Sequence, residues 1–223
     1  MSNKIKYGLI GSSGKLGTEV KNVFDENNYE LVFTYDIEGE SRKEKPELLI
    51  DCSLPEVFSK SVAYVNEFNI PFIIATTGLS ESNISDLKIL AQKVPVVQSY
   101  NYSTGIQILL KLTELANEKT KGWDVEISET HHRFKKDKPS GTAKMIKNIL
   151  KDRNANTSSL RLGNVFGEHT VSFACLGEVL SINHTATSRR TFAEGILKSV
   201  EFIRSKNSGF YTFTDVIFPE KQS

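Results

Sequence analysis

Apolar residues fall in two different patterns along this chain, and the change comes near residue 101. Before it, short unbroken apolar runs alternate with stretches of helical spacing. Ile5–Ile10 reads as a buried strand, and Thr18–Phe24 carries the stripe of a helix. Glu30–Tyr35, Leu48–Asp51, Pro71–Ala75 and Pro95–Gln98 read as further strands, with helices expected over Glu56–Phe68 and near Glu81–Gln92. Residues 37–47 are polar and charged and read as a loop. Strands alternating with helices in this way predict an α/β fold with a Rossmann-like, doubly wound parallel sheet.

After Asn101 the spacing predicts a longer amphipathic helix, Thr104–Asn117, and then strands that alternate apolar with polar. These are Asp124–Glu129, Leu160–Leu162, Thr170–Leu176 and Glu178–Ala186, punctuated by Gly163, Gly167 and Gly177. A helix follows Pro139-Ser-Gly-Thr142, with Ala143, Ile146, Ile149 and Leu150 on one face and Ser140 or Thr142 as its cap. This half reads as α+β with a one-sided, mostly antiparallel sheet, whose open face is a candidate oligomer interface. A helix over Phe192–Phe202 and short strands at Phe210–Phe213 and Val216–Phe218 complete the chain.

Composition narrows the picture by exclusion. The 223 residues are 39% hydrophobic and 25% charged with a net charge of +1, which is ordinary for a globular protein and offers no global field for nucleic acid. No apolar run has membrane-spanning length, and the first residues lack a signal-peptide core. Cys52 and Cys175 have no metal-like spacing and suggest buried thiols in a reducing cytoplasm.

Two stretches carry the chemistry. Gly11-Ser-Ser-Gly-Lys-Leu-Gly17 stands between a strand and a helix, a G-x-x-G-x-x-G variant of the dinucleotide fingerprint, and Asp36 lies where a ribose-binding carboxylate is expected. Asp51-Cys-Ser and Thr76-Thr-Gly end later strands and are placed to line the nicotinamide side. The second stretch is Glu129-Thr-His-His-Arg-Phe-Lys-Lys-Asp-Lys-Pro-Ser-Gly-Thr142. It sets a cluster of cations against a helix N-terminus, which favours a small carboxylate ligand. His131 and Lys135, four apart, can supply protons, and crowding by cations is expected to lower the lysine's pKa.

With both stretches in hand, the sequence resembles the dihydrodipicolinate reductase family. The motif E-x-H-H-x-x-K-x-D-x-P-S-G-T-A is complete in Glu129, His131, His132, Lys135, Asp137, Pro139, Ser140, Gly141, Thr142 and Ala143. Asp51-Cys-Ser-Leu-Pro, Asn101-Tyr-Ser, Gly167-Glu-His-Thr and Ser188-Arg-Arg-Thr-Phe match flanking landmarks in order, so the resemblance covers essentially the whole chain. It implies NAD(P)H-dependent reduction of 4-hydroxy-tetrahydrodipicolinate, or its dehydrated form, to tetrahydrodipicolinate in lysine and diaminopimelate biosynthesis. The implied catalytic residues are His131 and Lys135, with His132, Ser140, Gly141 and Thr142 holding the dicarboxylate imine. Gly11, Ser12, Ser13, Gly14, Lys15, Leu16, Asp36, Ala75, Thr76, Thr77, Ser99, Tyr100, Asn101 and Tyr102 match the dinucleotide contacts, and Arg189 an arginine near the interdomain hinge. Ala75 and Tyr100 depart from the family's usual residues, and the chain is short around 37–47.

The expected organisation is therefore a dinucleotide-binding domain over 1–101, a substrate-binding and oligomerisation domain over 102–189, and a segment, 190–223, returning to the first, with the site in the cleft between domains. Asp36 favours NADH over NADPH as cofactor; Arg42 and Lys43 could reach a 2′-phosphate only if their loop folds back. A cytoplasmic homotetramer is implied, without nucleic-acid or membrane partners. Three rival readings are a different nicotinamide dehydrogenase, against which the complete His-His-x-x-Lys…Ser-Gly-Thr segment weighs; a non-catalytic dinucleotide sensor, which has no need of a protonating cluster; and a metal hydrolase using His131, His132 or His169, disfavoured because adjacent histidines rarely chelate one ion and no carboxylate triad accompanies them. His169 and His184 read as structural strand residues, and no metal is expected.

Overall fold

The computed structural model describes residues 4–219. In chain order its elements are β1 (Ile5–Ile10), α1 (Lys15–Glu26), β2 (Tyr29–Asp36), β3 (Gly39–Arg42), β4 (Leu48–Asp51), a 3₁₀ turn (Pro55–Val57), α2 (Phe58–Phe68), β5 (Phe72–Ile74), α3 (Glu81–Leu90) and β6 (Pro95–Gln98). Then come α4 (Thr104–Lys119), β7 (Asp124–His131), α5 (Gly141–Ile149), β8 (Asn156–Arg161), β9 (Gly167–Ala174), β10 (Val179–Ala186), α6 (Arg190–Ile203), β11 (Gly209–Thr212) and α7 (Phe213–Ile217). They form two compact units, one of residues up to Tyr102 together with those from Arg190 onward, the other Ser103–Arg189.

The first unit is a seven-stranded sheet in the order β11-β6-β5-β4-β1-β2-β3, parallel except for β3. Its inner strands are unbroken apolar runs because both faces are covered. Leu9, Ile50, Ile73 and Val97 point into a core with Val20, Val23 and Phe24 of α1 and Ala193, Ile196 and Val200 of α6. Their neighbours Ile10, Leu49, Ile74 and Val96 point the other way, against Phe58, Val65 and Phe68 of α2 and Leu87 and Leu90 of α3. Each such side chain, fully buried, contributes on the order of 1.5–3 kcal/mol. The chain leaves β1 for β2 on one side and places β4 on the other, so the strand order reverses between β1 and β4. In a parallel sheet that switch point opens a crevice beyond the strands' carboxyl ends.

In the second unit the order is β10-β9-β7-β8. β9 pairs antiparallel with both β7 and β10, while β7 and β8 are parallel and joined through α5. One face carries Val125, Ile127, Val171 and Phe173, packed under Ile106, Leu109 and Leu110 of α4 and Ile146 and Leu150 of α5. On β7 burial alternates residue by residue, as a strand with one covered face requires.

The α/β class and its two kinds of sheet agree with the sequence, with three local corrections. Gly39–Arg42, within the stretch read as loop, is an edge strand antiparallel to β2, held by pairing rather than by apolar content. The second sheet is mostly antiparallel as expected, with β7–β8 as its parallel pair. Val216–Phe218, read as a strand, falls at the end of α7: Thr212 and Asp215 form a reciprocal cap that starts a helix at Phe213. Cys175, expected to be buried, is exposed, and Cys52 is partly buried.

Candidate active site

In the first unit the predicted cofactor residues gather along one edge. The last residues of the central strands are in register, Ile10 beside Tyr35 and Asp51, Asp51 beside Ile74, and Ile74 beside Gln98. The loops carrying Gly11–Leu16, Asp36, Ala75–Thr77 and Ser99–Tyr102 therefore emerge side by side. Gly11 has φ +79°, and a Cβ there would lie 2.8 Å from Cys52 O, so the turn after β1 rests directly on the turn after β4. A Cβ on Gly17 would come within 2.1 Å of Gly11 O, which shows how tightly α1 is seated on the turn. Gly14 is the N-cap of α1 and puts no side chain over the helix start, and the first turn holds no acid. Asp36 accepts hydrogen bonds from Ser12 Oγ, from Ser13 N at 3.1 Å and from Ser13 Oγ at 2.9 Å, which fixes its carboxylate over the glycine loop.

Other side chains on this edge are committed elsewhere. Asp51, fully buried, accepts from Ser53 N (2.8 Å), Ser53 Oγ, Ser61 Oγ (2.7 Å) and Thr76 Oγ1 (2.8 Å). It ties the loops after β4 and β5 to α2, and it uses the Thr76 hydroxyl to do so. Thr77 and Tyr100 are exposed, and Ala75 and Asn101 are half-buried. Ser99 Oγ donates to Asn101 O at 2.9 Å and accepts from Asn101 N, shaping that turn. The Tyr102 hydroxyl lies 2.9 Å from Ile74 O and 3.2 Å from Val97 O; its side chain belongs to the core, and burial pushes the phenol's pKa up.

The second unit holds the predicted catalytic residues at the end of β7 and in the loop leading to α5. Glu129 and His131 are two apart and so share the covered face of the strand. His131 Nδ1 hydrogen-bonds Glu129 Oε2. From β8, Arg161 grips the same carboxylate with two parallel bonds, Nη1 to Oε2 and Nη2 to Oε1, each 3.0 Å. Ser140 caps α5 by accepting from Ala143 N at 3.2 Å, its own N–H donates to Glu129 Oε1, and its Oγ lies 3.2 Å from His169 Nε2 on β9. The His169 and His131 rings meet edge to face at 5.0 Å. Lys135, expected to be crowded by cations, pairs with Asp137 at 2.8 Å. His132 and Gly141 are half-buried, Ser140 and Thr142 buried. Arg189 closes this unit with its guanidinium 5.1 Å over the Phe166 ring.

Electrostatics set the proton inventory. Burial opposes charge on Glu129, but the hydrogen bonds from Arg161 and Ser159 outweigh it, and the carboxyl is held below its usual range. Burial lowers the pKa of His131 despite the adjoining carboxylate. An anionic Glu129 can only accept, so neutral His131 carries its proton on Nδ1 and a lone pair on Nε2. Its Nε2 sits 3.2 Å from where a Cβ on Gly167 would be, so that glycine leaves the nitrogen room. Burial, with help from His131, brings His169 to about 3.

Glu129 and Arg161 were given no functional part from sequence, and His169 only one as a metal ligand in a rival reading; Asp51, expected to line the nicotinamide side, instead ties loops together. The two-residue spacing of Glu129 and His131 was a usable signal. Arg161 had none, because its place depends on the parallel register that sets it beside His131. Glu129, His131 and His169 also offer potential ligand atoms within 4.8 Å of one another. Arg161 occupies both Glu129 oxygens, and its charge disfavours a cation there.

Residues 5–102 match the family model for the dihydrodipicolinate reductase N-terminus, and residues 105–217 that for its C-terminus. The chain belongs to the dihydrodipicolinate reductase family. The 4-hydroxy-tetrahydrodipicolinate reductase of Thermosipho africanus is 44% identical over 213 residues, covering 96% of this chain and 98% of that protein. The enzyme of that name from Nitratiruptor is 32% identical over 96% of this chain and 99% of its own. In fold, the chain is similar to the dipicolinate-bound dihydrodipicolinate reductase of Paenisporosarcina, with a TM-score of 0.77 at 22% identity over 94% of this chain and 97% of that one. As a member of the family the chain is an oxidoreductase that uses a nicotinamide dinucleotide for the reduction step of lysine and diaminopimelate biosynthesis. The glycine cradle of this reductase, where a Cβ at Gly11 or Gly17 would strike backbone, fits that cofactor. Among the described residues, no helix is long and apolar enough to cross a membrane.

Proposed function

We propose that in this reductase Lys135 delivers the proton that completes reduction of the cyclic imine dicarboxylate, while neutral His131 orients the reacting ring and relays protons from water to Lys135 through its Nε2 lone pair. The observation that carries this is the Glu129–His131 pair: an anionic carboxylate on Nδ1 and a lowered pKa leave His131 without a spare proton at neutral pH. Once the 4-hydroxyl has left as water, bound dihydronicotinamide would supply the hydride to C4 of the unsaturated imine, leaving an electron-rich enamine. Lys135 Nζ, held by Asp137, then donates a proton to that enamine. One substrate carboxylate is held at the α5 N-terminus by Gly141, Thr142 and His132, where free amides and the helix dipole favour an anion. Ser140 serves this end by capping the helix with its buried side chain.

The glycine loop Gly11–Leu16, with Ala75–Thr77 and Ser99–Asn101, holds the dinucleotide in this reading, and NADH is preferred over NADPH. A carboxylate accepts ribose hydroxyls and repels a 2′-phosphate, and Ser12 and Ser13 hold Asp36 in place for that task. Arg42, the cation that could offset it, is engaged with Glu40 at 2.9 Å and Glu67 at 2.7 Å, with its guanidinium 4.7 Å over the Phe68 ring. A cytoplasmic homotetramer joined through the open face of the four-stranded sheet completes the proposal; exposed Leu160 and Val179 on its outer strands support it. The test is oxidation of NADH and of NADPH with freshly made 4-hydroxy-tetrahydrodipicolinate, and with pyruvate and oxaloacetate as controls. Turnover confined to the imine and a higher kcat/KM with NADH are expected. Turnover with a control alone, or a large preference for NADPH, contradicts the reading.

A further inference from the structure

Every donor of the Arg161 side chain is placed. A guanidinium has five N–H groups in a rigid fork. Two go to the oxygens of Glu129, at 3.0 Å each. Nε donates to Lys135 O at 3.2 Å, Nη2 also donates to Asp137 O, and Nη1 also donates to Leu160 O at 2.6 Å. The arginine side chain is 7% exposed and that of Glu129 is fully buried. A buried ion pair of this kind is an expensive way to stabilise a fold, since desolvation offsets most of the attraction. Its geometry is better explained by what it holds. One side of the fork fixes the carboxylate that receives His131 Nδ1–H; the other pins the backbone on either side of Lys136, from which Lys135 and Asp137 project.

We propose that Arg161 is a positioning residue for proton transfer: through Glu129 it sets the orientation and protonation state of His131, and through Lys135 O and Asp137 O it fixes the loop that presents Lys135. The inference rests on the reading of His131 and Lys135 as the proton-transfer pair. The charged and titratable groups around His131 are Glu129 on its own strand, Arg161 on β8, His169 on β9, and Lys135 with its partner Asp137 in the following loop. Of these, Glu129 favours imidazolium, while Lys135 and Arg161 oppose it, Arg161 also by neutralising Glu129.

Opposite substitutions should therefore move His131 in opposite directions. Arg161→Met leaves a buried carboxylate with imidazole as its remaining partner, so the His131 pKa rises. Glu129→Gln removes the anion and keeps the guanidinium, so the pKa falls. Arg161→Lys keeps a charge but offers three donors for five acceptors, so it gives a smaller rise. The four histidines allow assignment by single replacement, and ¹H–¹⁵N spectra of histidine-labelled protein follow each titration without turnover. In kinetics, both Arg161 variants lower kcat about 10- to 100-fold through misplacement of Lys135, with the KM for NADH within about twofold. A purely structural ion pair would lower thermal stability in all variants and leave the His131 titration in place. Shifts in the same direction for Arg161→Met and Glu129→Gln, or no shift in either, overturn the proposal. Should Arg161→Met fail to fold, Arg161→Lys decides: a His131 pKa that does not rise is equally fatal. The titration is read on resting protein, so it stands apart from any failure of the Lys135 assignment, which Lys135→Ala turnover reports by itself.

Discussion

Asp51 offers a sharp test of how the cofactor edge is built. Its Oδ1 accepts three hydrogen bonds, from Ser53 N, Ser53 Oγ and Thr76 Oγ1, and its Oδ2 accepts one from Ser61 Oγ. Asp51→Asn keeps an oxygen where the three bonds converge. The new amide faces Ser61, whose hydroxyl can turn to accept from it, so the loss is one charge-assisted bond, about 1–2 kcal/mol. Asp51→Ala removes every acceptor from a fully buried site and strands three donors, among them the Ser53 N–H, which cannot rotate to a new role, while Ser61 Oγ keeps Val57 O at 3.4 Å. At roughly 1–3 kcal/mol for each stranded group, reduced by whatever water enters, the cost is about 4 kcal/mol or more. Urea denaturation of both variants gives the difference directly. Because Asp51 joins the loops after β4 and β5, the KM for NADH should rise in the same order, Ala above Asn above wild type. An Asp51→Ala protein within about 1 kcal/mol of wild type, or a KM for NADH unmoved in both variants, would refute the account of this edge.

Other consequences are equally direct. Gly17→Ala places a methyl 2.1 Å from Gly11 O and 2.9 Å from Ser12 Cα, both backbone atoms; α1 must lift, and the dinucleotide KM should rise at least about tenfold, measured by NADH titration. His169, with a folded pKa of about 3, stays neutral while the unfolded chain takes up a proton below about 6.5. Its contribution to stability is thus complete above that value and is lost as pH falls towards 3, at about 1.4 kcal/mol per pH unit. Urea denaturation between pH 7 and 5 should show that slope, and His169→Gln should flatten it by about that amount. Asp36→Ser removes the carboxylate that repels a 2′-phosphate, so the ratio of kcat/KM for NADH to that for NADPH should fall, by about tenfold for about 1.4 kcal/mol; an unchanged ratio places the preference elsewhere.

Much of this molecule was legible because its signals are local. The switch from unbroken to alternating apolar runs near residue 101 reports whether a sheet is covered on two faces or one, and the two sheets follow it. Ser140 caps α5 as its place before an apolar stripe predicts. What was illegible depends on distant pairing. Gly39-Glu-Ser-Arg42 has no strand character of its own and becomes one beside β2. Val216-Ile-Phe218 looks like a strand until the Thr212–Asp215 cap commits the chain to a helix. The site divides in the same way. Glu129, His131 and Lys135 stand within seven residues, and their chemistry can be read from spacing. Arg161 enters only through the pairing of β7 with β8, and nothing near it in sequence marks it out; His169 lies in the Gly167-Glu-His-Thr landmark, but its place beside His131 depends on the pairing of β7 with β9.

The central claim is that Lys135 is the proton donor and that His131 is neutral when it acts. It is tested most directly by the turnover of Lys135→Ala with saturating NADH and fresh 4-hydroxy-tetrahydrodipicolinate. Loss of a general acid predicts a kcat lower by about 10²- to 10⁴-fold, with the KM for NADH unchanged because the dinucleotide residues are untouched. A Lys135→Ala enzyme that turns over at close to the wild-type rate would contradict it.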